Sequence, residues 1–232
     1  FGARDYYGEG APRVHIVEGE GGLTPGRVAE AVAAAGTASV GNAFMHLDWN
    51  QSSIDSDRVC REGDAPGDYV QWDPCEFFHL HDWNVIYVAD GADLQQVVGA
   101  QRRALALDNG QPTAVVYRTV KGWQYGVEGR ASHGAGHALC TEGFLRAVSE
   151  LTGRTHVTLP SCPATDRRCG GSDREIMEAC FWEALSMVRG AVEEDRPMTS
   201  SLAGRLVAAR ERLGKRAPRP REGAPRLEAV FE

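Results

Sequence analysis

The chain has 232 residues, 42 % of them hydrophobic, and 25 Lys and Arg stand against 32 Asp and Glu for a formal net charge of −7. That apolar content fills a substantial core and excludes a disordered chain, while the acidic balance excludes a general nucleic-acid binder with a basic face. No apolar run approaches the roughly 20 residues that cross a bilayer, so no membrane partner is expected.

The chain opens on "FGARDYYGEGAPRV", a turn-rich lead without an initiator Met, which reads as the interior of something longer. "RVHIV" (13–17) is short and β-branched and predicts a strand; "GRVAEAVAAAG" (26–36) has helical periodicity, with Pro25 placed as a first-turn residue. Between them lies a cluster of glycines and glutamates. Glycine loses the most backbone freedom on folding, so such a cluster implies a tight turn or a close approach of backbone to a ligand.

"NAFMHLDW" (42–49) is again strand-like, and a long polar segment follows from Asn50 to Pro74. "FFHLH", with His79 and His81, has the alternation of a strand or turn and fits a packed aromatic surface better than a metal site. "NVIYVAD" (84–90) predicts a third strand, an amphipathic helix spans about Asp93 to Leu107 behind an acidic cap, and "TAVVYRTV" (113–120) predicts a fourth strand.

Strands nearly continuous in apolar residues and separated by helices imply an α/β fold with a parallel sheet and helices on both faces. Ligands of such sheets bind outside the carboxyl ends of the strands. Four loops fall there: Gly19 to Gly22, Asp48 to Ser52, Asp90 to Asp93 and Lys121 to His137. From about Thr141 the pattern becomes a helical C-terminal extension, and "KRAPRPREGAPRLEAVFE" reads as a linker toward a following domain. The cysteines at 60, 75, 140, 162, 169 and 180 show no CxxC pair and no zinc-finger spacing. They read as reduced thiols of a cytoplasmic protein.

Glu20 stands in the turn after the first strand, and Asn50, 30 residues on, ends the second. In a strand-helix-strand unit these positions are neighbours at the sheet edge. A carboxylate and an amide oxygen then meet as the oxygen donors that Mg²⁺ or Ca²⁺ prefers, with a backbone carbonyl such as that of Ser52 to complete the set. The helix amino terminus near Pro25 would face an anion. The same residues read equally as a tight turn and a loop-capping amide. In "YRTVKGWQYGVEGRASHGAGH" (117–137) a long glycine-rich loop carries His133, a candidate neutral donor to a phosphate or an oxyanion, and His137, which reads as structural.

Together "VEGEGGLTPGRVAEAVAAAGTASVGNAFMHLDWNQSSID", "HDWNVIYVADGADLQQV" and "RTVKGWQYGVEGRASHGAGH" resemble the thiamine-diphosphate-binding (PP) domain of transketolase over about residues 13 to 150. The family's diphosphate motif runs from Gly-Asp-Gly to an Asn about thirty residues later. The resemblance implies the thiamine-diphosphate-binding fold, with a partial PP domain over 1–195 and a helix and linker over 196–232. It also implies that Gly19 and Gly21 lie against the diphosphate, that Glu20, Asn50 and the Ser52 carbonyl hold Mg²⁺, that Asn50 also binds the diphosphate, and that His133 contacts cofactor and substrate as the catalytic histidine.

Glu20 departs from the family's Asp. The extra methylene moves the carboxylate outward by roughly 1 Å or more, so either the backbone shifts, or the larger Ca²⁺ or Mn²⁺ fits better than Mg²⁺, or affinity falls. The implied activity is transfer of a two-carbon ketol unit between sugar phosphates, in a cytoplasmic homodimer or heterotetramer. This chain supplies half of the site, and a pyrimidine-binding domain, in the same longer chain or in a separate subunit, supplies the rest. The alternatives are a decarboxylating first component of a 2-oxoacid dehydrogenase complex, whose homodimeric form has a "TVKG"-like strand end, and a non-catalytic, degenerate PP module.

Overall fold

The computed structural model describes residues 1–134, 137, 139, 141–159 and 174–215. Contacts divide the chain into two compact units, Phe1–Gly136 and His137–Glu232, and each is described by itself.

The first unit is built on four strands: β1 (Val14–Gly19), β2 (Ala43–Trp49), β3 (Asn84–Val88) and β4 (Thr113–Arg118). All pairings are parallel and the spatial order is β1-β2-β4-β3. The register sets Gly19 beside Asp48, and Asp48 and Val88 beside Tyr117, so all four strands end at one edge. Four helices accompany them: α1 (Gly2–Tyr7), α2 (Gly26–Thr37), α3 (Pro74–Leu80) and α4 (Leu94–Ala106).

Alternation along β2 and β4 gives the sheet two apolar faces. Ala43, Met45, Leu47, Trp49, Ala114 and Val116 point to one face and pack with Val32 and Ala35 of α2 and with Phe77 and Phe78 of α3. Phe44, Val88 and Val115 point to the other and pack with Ala100 and Ala104 of α4. Helices thus cover both faces, as the near-continuous apolar strands require. β1, at the sheet edge, is exposed along most of its length.

Two segments differ from the sequence expectation. The lead residues form the short α1 in place of turns. "FFHLH" is not a strand: its first four residues lie in α3 and His81 in the turn that follows. Asp73 starts α3 with a capping box: its side chain accepts from the Glu76 N–H at 2.9 Å, and the Glu76 side chain reaches back to the Asp73 N–H. The cap and Pro74 at the first turn outweigh the period-2 look of the aromatics. His79 is a helix residue, and the His81 ring meets the Phe77 ring edge-on at 5.2 Å.

The second unit is helical among its described residues: α5 (Glu142–Ala147), α6 (Ser149–Thr155), α7 (Arg174–Glu193) and α8 (Arg196–Lys215). The Pro- and Arg-rich 216–232 and Cys140, Cys162 and Cys169 lie outside the described residues. Cys60, Cys75 and Cys180 are free thiols. Burial pushes Cys60 up to about 12 and Cys75 up to about 11, so neither is a ready nucleophile. Among the described residues no helix is long and apolar enough to cross a membrane.

Candidate functional site

The residues singled out in the first two loops meet at the carboxyl edge of β1 and β2. Gly19 is the last residue of β1, and Glu20 and Gly21 begin a 3₁₀ turn, Glu20–Leu23. α2 starts at Gly26, after that turn. Glu20 is 1 % exposed. Its Oε2 accepts from the backbone N–H of Asn50 at 3.2 Å, across the 30 residues that separate them. The longer glutamate is thus accommodated as a cap on the end of β2.

Its other oxygen, Oε1, is buried and has no hydrogen-bond partner. Burial raises the Glu20 pKa, the nearby Asp48 raises it further, and backbone N–H groups of Glu20, Asn50 and Gln51 act in the opposite sense. A buried carboxylate oxygen without a donor is costly, and either a proton or a cation relieves it.

Asn50 is held on both sides of its amide. Its Oδ1 accepts from the Ser52 N–H at 2.8 Å, and its Nδ2 donates to Asp48 Oδ2 at 2.7 Å. Asp48 Oδ1 in turn accepts from the hydroxyl of Thr119, just past the end of β4. Gln51 adopts φ +64°, a conformation that costs a non-glycine residue free energy and concentrates at functional sites. The buried Gln51 side chain is clamped to the backbone of Cys60, donating to its carbonyl at 3.0 Å and accepting from its N–H at 2.9 Å.

His133 lies on the loop after β4, at the end of a 3₁₀ turn, Gly129–Ser132, and is exposed. This loop is joined to the Asn50–Asp57 loop by Asp57. One Asp57 oxygen accepts from the Arg130 N–H and, at 3.4 Å, from the Ser52 hydroxyl. Gly129 has φ +64°, and a Cβ there would fall 2.7 Å from the same oxygen. Lys121 Nζ meets His133 Nδ1. Next to Thr119 a cleft of about 480 Å³ opens at the ends of β3 and β4, lined by Asp90, Gly91, Arg118 and Trp123 among others. Arg118 is engaged with both Glu62 oxygens at 2.7 and 3.1 Å.

The structure therefore brings Glu20, Asn50 and Ser52 together, with Gly19 and Gly21 alongside, and ties the loop that carries His133 to the same cluster. Asp48, Asp57, Thr119 and Lys121 complete the arrangement, and none of them was assigned a role from sequence. Asp48 had a signal, an Asp two residues before Asn at a strand end. Asp57 and Thr119 had none, because the Arg130 N–H that Asp57 holds across the two loops and the Asp48 carboxylate that Thr119 meets lie 73 and 71 residues away.

Residues 9–150, more than half of the chain, match the family model "Transketolase, thiamine diphosphate binding domain". The chain belongs to this family. No curated protein sequence matches this transketolase-family chain. Transketolase from Leishmania mexicana has the same fold at 19 % identity and TM-score 0.51, over 89 % of this chain and 27 % of that one. Transketolases from Campylobacter jejuni (18 %, TM-score 0.49, 84 % and 28 % coverage) and Pichia stipitis (18 %, TM-score 0.49, 76 % and 24 %) are also similar. The chain spans about a quarter of the length of these structures.

The family's cofactor can be set against this chain's own residues. Among the described residues no three His, Cys, Asp and Glu side chains cluster as a metal site. The candidate set is of another kind, one carboxylate, one amide oxygen and one backbone carbonyl, all hard oxygen donors of the type divalent Mg²⁺, Ca²⁺ and Mn²⁺ take. The unpartnered Glu20 Oε1 is where a cation would be accommodated. A Cβ on Gly21 would meet nothing within 4 Å, so its backbone borders open space that an anion can enter. The residues fit the group.

Proposed function

We propose that this chain supplies the diphosphate- and cation-binding half of a transketolase-like site, which moves a two-carbon ketol unit between sugar phosphates in the cytoplasm. The reading takes 1–195 as the partial PP domain and 196–232 as the helix and linker toward a pyrimidine-binding domain, in the same longer chain or a separate subunit. That domain completes the site, in a homodimer or heterotetramer.

The observation that carries the proposal is Glu20 Oε1, buried and unpartnered at the strand edge beside Asn50. Glu20, the Asn50 amide and the Ser52 carbonyl would hold Mg²⁺, or Ca²⁺ or Mn²⁺. Gly19, Gly21 and Asn50 would seat the diphosphate, and His133 would act as the catalytic donor to substrate oxygen. Thiamine diphosphate, when bound, supplies carbanion stabilisation, while the protein supplies binding, orientation and charge. Asp48 and Thr119 orient the Asn50 amide, and Asp57 keeps the two loops in register.

Calorimetric titration with thiamine diphosphate and each cation, alone and with the pyrimidine-binding partner, tests the seat. Saturable binding supports it; no binding in any combination leaves a non-catalytic module. A second reading, decarboxylation of a 2-oxoacid, is favoured by the "TVKG" segment just past the end of β4, which places Lys121 in the loop. Decarboxylation without ketol transfer in the assembled enzyme would select it.

A further inference from the structure

Lys121 follows β4 by three residues, and its ε-ammonium lies 2.5 Å from Nδ1 of His133. An ammonium has three donors and no lone pair, so Lys121 donates and the ring accepts. A neutral imidazole that accepts at Nδ1 carries its proton on Nε2.

The backbone around the pair is fixed. The Gly129 N–H donates to the Lys121 carbonyl at 3.0 Å and closes the loop, and the His133 N–H donates to the Arg130 carbonyl at 2.9 Å. The loop's other cation does not compete for the ring: the Arg130 guanidinium donates to the Asp55 carbonyl at 3.2 Å, and its N–H goes to Asp57.

We propose that Lys121 is a positioning residue that selects the tautomer of His133, so that Nε2–H is the donor presented to an anionic oxygen of the substrate or of the diphosphate. The role of that donor rests on the functional reading above; the tautomer rests on the contact alone. Long-range ¹H–¹⁵N correlation spectra of the whole chain, histidine-labelled, without cofactor and with His133→Gln as the assignment control, test it directly. The expected result is a proton on Nε2 in the unmodified chain and in Lys121→Arg, which keeps a donor. In Lys121→Glu the introduced carboxylate can only accept, and the proton moves to Nδ1. In Lys121→Met a detectable Nδ1–H population appears. A wild-type proton on Nδ1, or a pure Nε2–H tautomer in both Lys121→Glu and Lys121→Met, overturns the proposal. Failure of cofactor binding in calorimetry, with the tautomer switch intact, would overturn the functional reading instead.

Discussion

Glu20 carries two opposed demands. Its Oε2 ties β1 to β2 through the Asn50 N–H, while its Oε1 is buried without a donor. Leaving a buried charged group unsatisfied costs about 1–3 kcal/mol or more. Glu20→Gln removes that charge at little change in volume, so the cation-free chain should melt higher at neutral pH, by roughly 2–4 °C for each kcal/mol relieved. The same change should abolish cation-dependent cofactor binding. Glu20→Asp should keep or tighten binding and Glu20→Ala should abolish it; calorimetry that shows all three unchanged would place the seat elsewhere.

His46 provides a separate residue-scale test, on the opposite side of the sheet from α2. Its ring bridges Tyr117 at 2.9 Å and His15 at 2.8 Å. Burial first, and His15 second, hold its pKa below the ordinary 6.5. The unfolded chain therefore takes up this proton first. The stability contributed by neutral His46 is complete above 6.5 and is lost as pH falls through the lowered folded value. Melting followed from about pH 7.5 to about pH 5 should show this slope, and His46→Gln should flatten it.

At the scale of elements, α3 and α2 decide how one face of the sheet is closed. Asp73 caps α3 reciprocally with Glu76, and loss of such a cap costs about 1 kcal/mol. Asp73→Ala should lower the unfolding free energy by that amount, read as a lower urea midpoint at unchanged slope. Gly36, near the end of α2, stands against the end of α3: a Cβ there would fall 1.8 Å from the His81 carbonyl oxygen. That contact is backbone and cannot swing away, so Gly36→Ala should cost more than the lost cap, about 3 kcal/mol or more. Equal midpoints for Gly36→Ala and the unmodified chain would show that α2 and α3 can separate freely. The helix over 26–36 and the four strands were legible from period and β-branching. α3 was legible only through its capping box, "DPCE", since its alternating aromatics imitate a strand over so short a run.

For the whole molecule, binding that favours the folded state raises the melting temperature by mass action. Thiamine diphosphate with a divalent cation at 100-fold excess over Kd should add about 2.7 kcal/mol, or roughly 5–10 °C in a chain of this length. On the proposed seat, either component alone should add less, because the cation would meet only Glu20 Oε1 and the anion only the glycine edge. A scan with no shift, with or without the pyrimidine-binding partner, would point to a scaffold role.

The sequence by itself determined the strands, the parallel α/β class, the family and the first candidates, Glu20, Asn50, Ser52 and His133. Hydrophobic period and the order of short motifs are local properties, readable without coordinates. Tertiary structure alone decided that Glu20 turns one oxygen to the Asn50 N–H and leaves the other bare, that Asp48 and Thr119 fix the Asn50 amide, and that Asp57 joins the two loops. These contacts join residues from different strand ends. A parallel sheet gathers such ends at one edge, but the side chains that meet there are chosen by register and by loop closure.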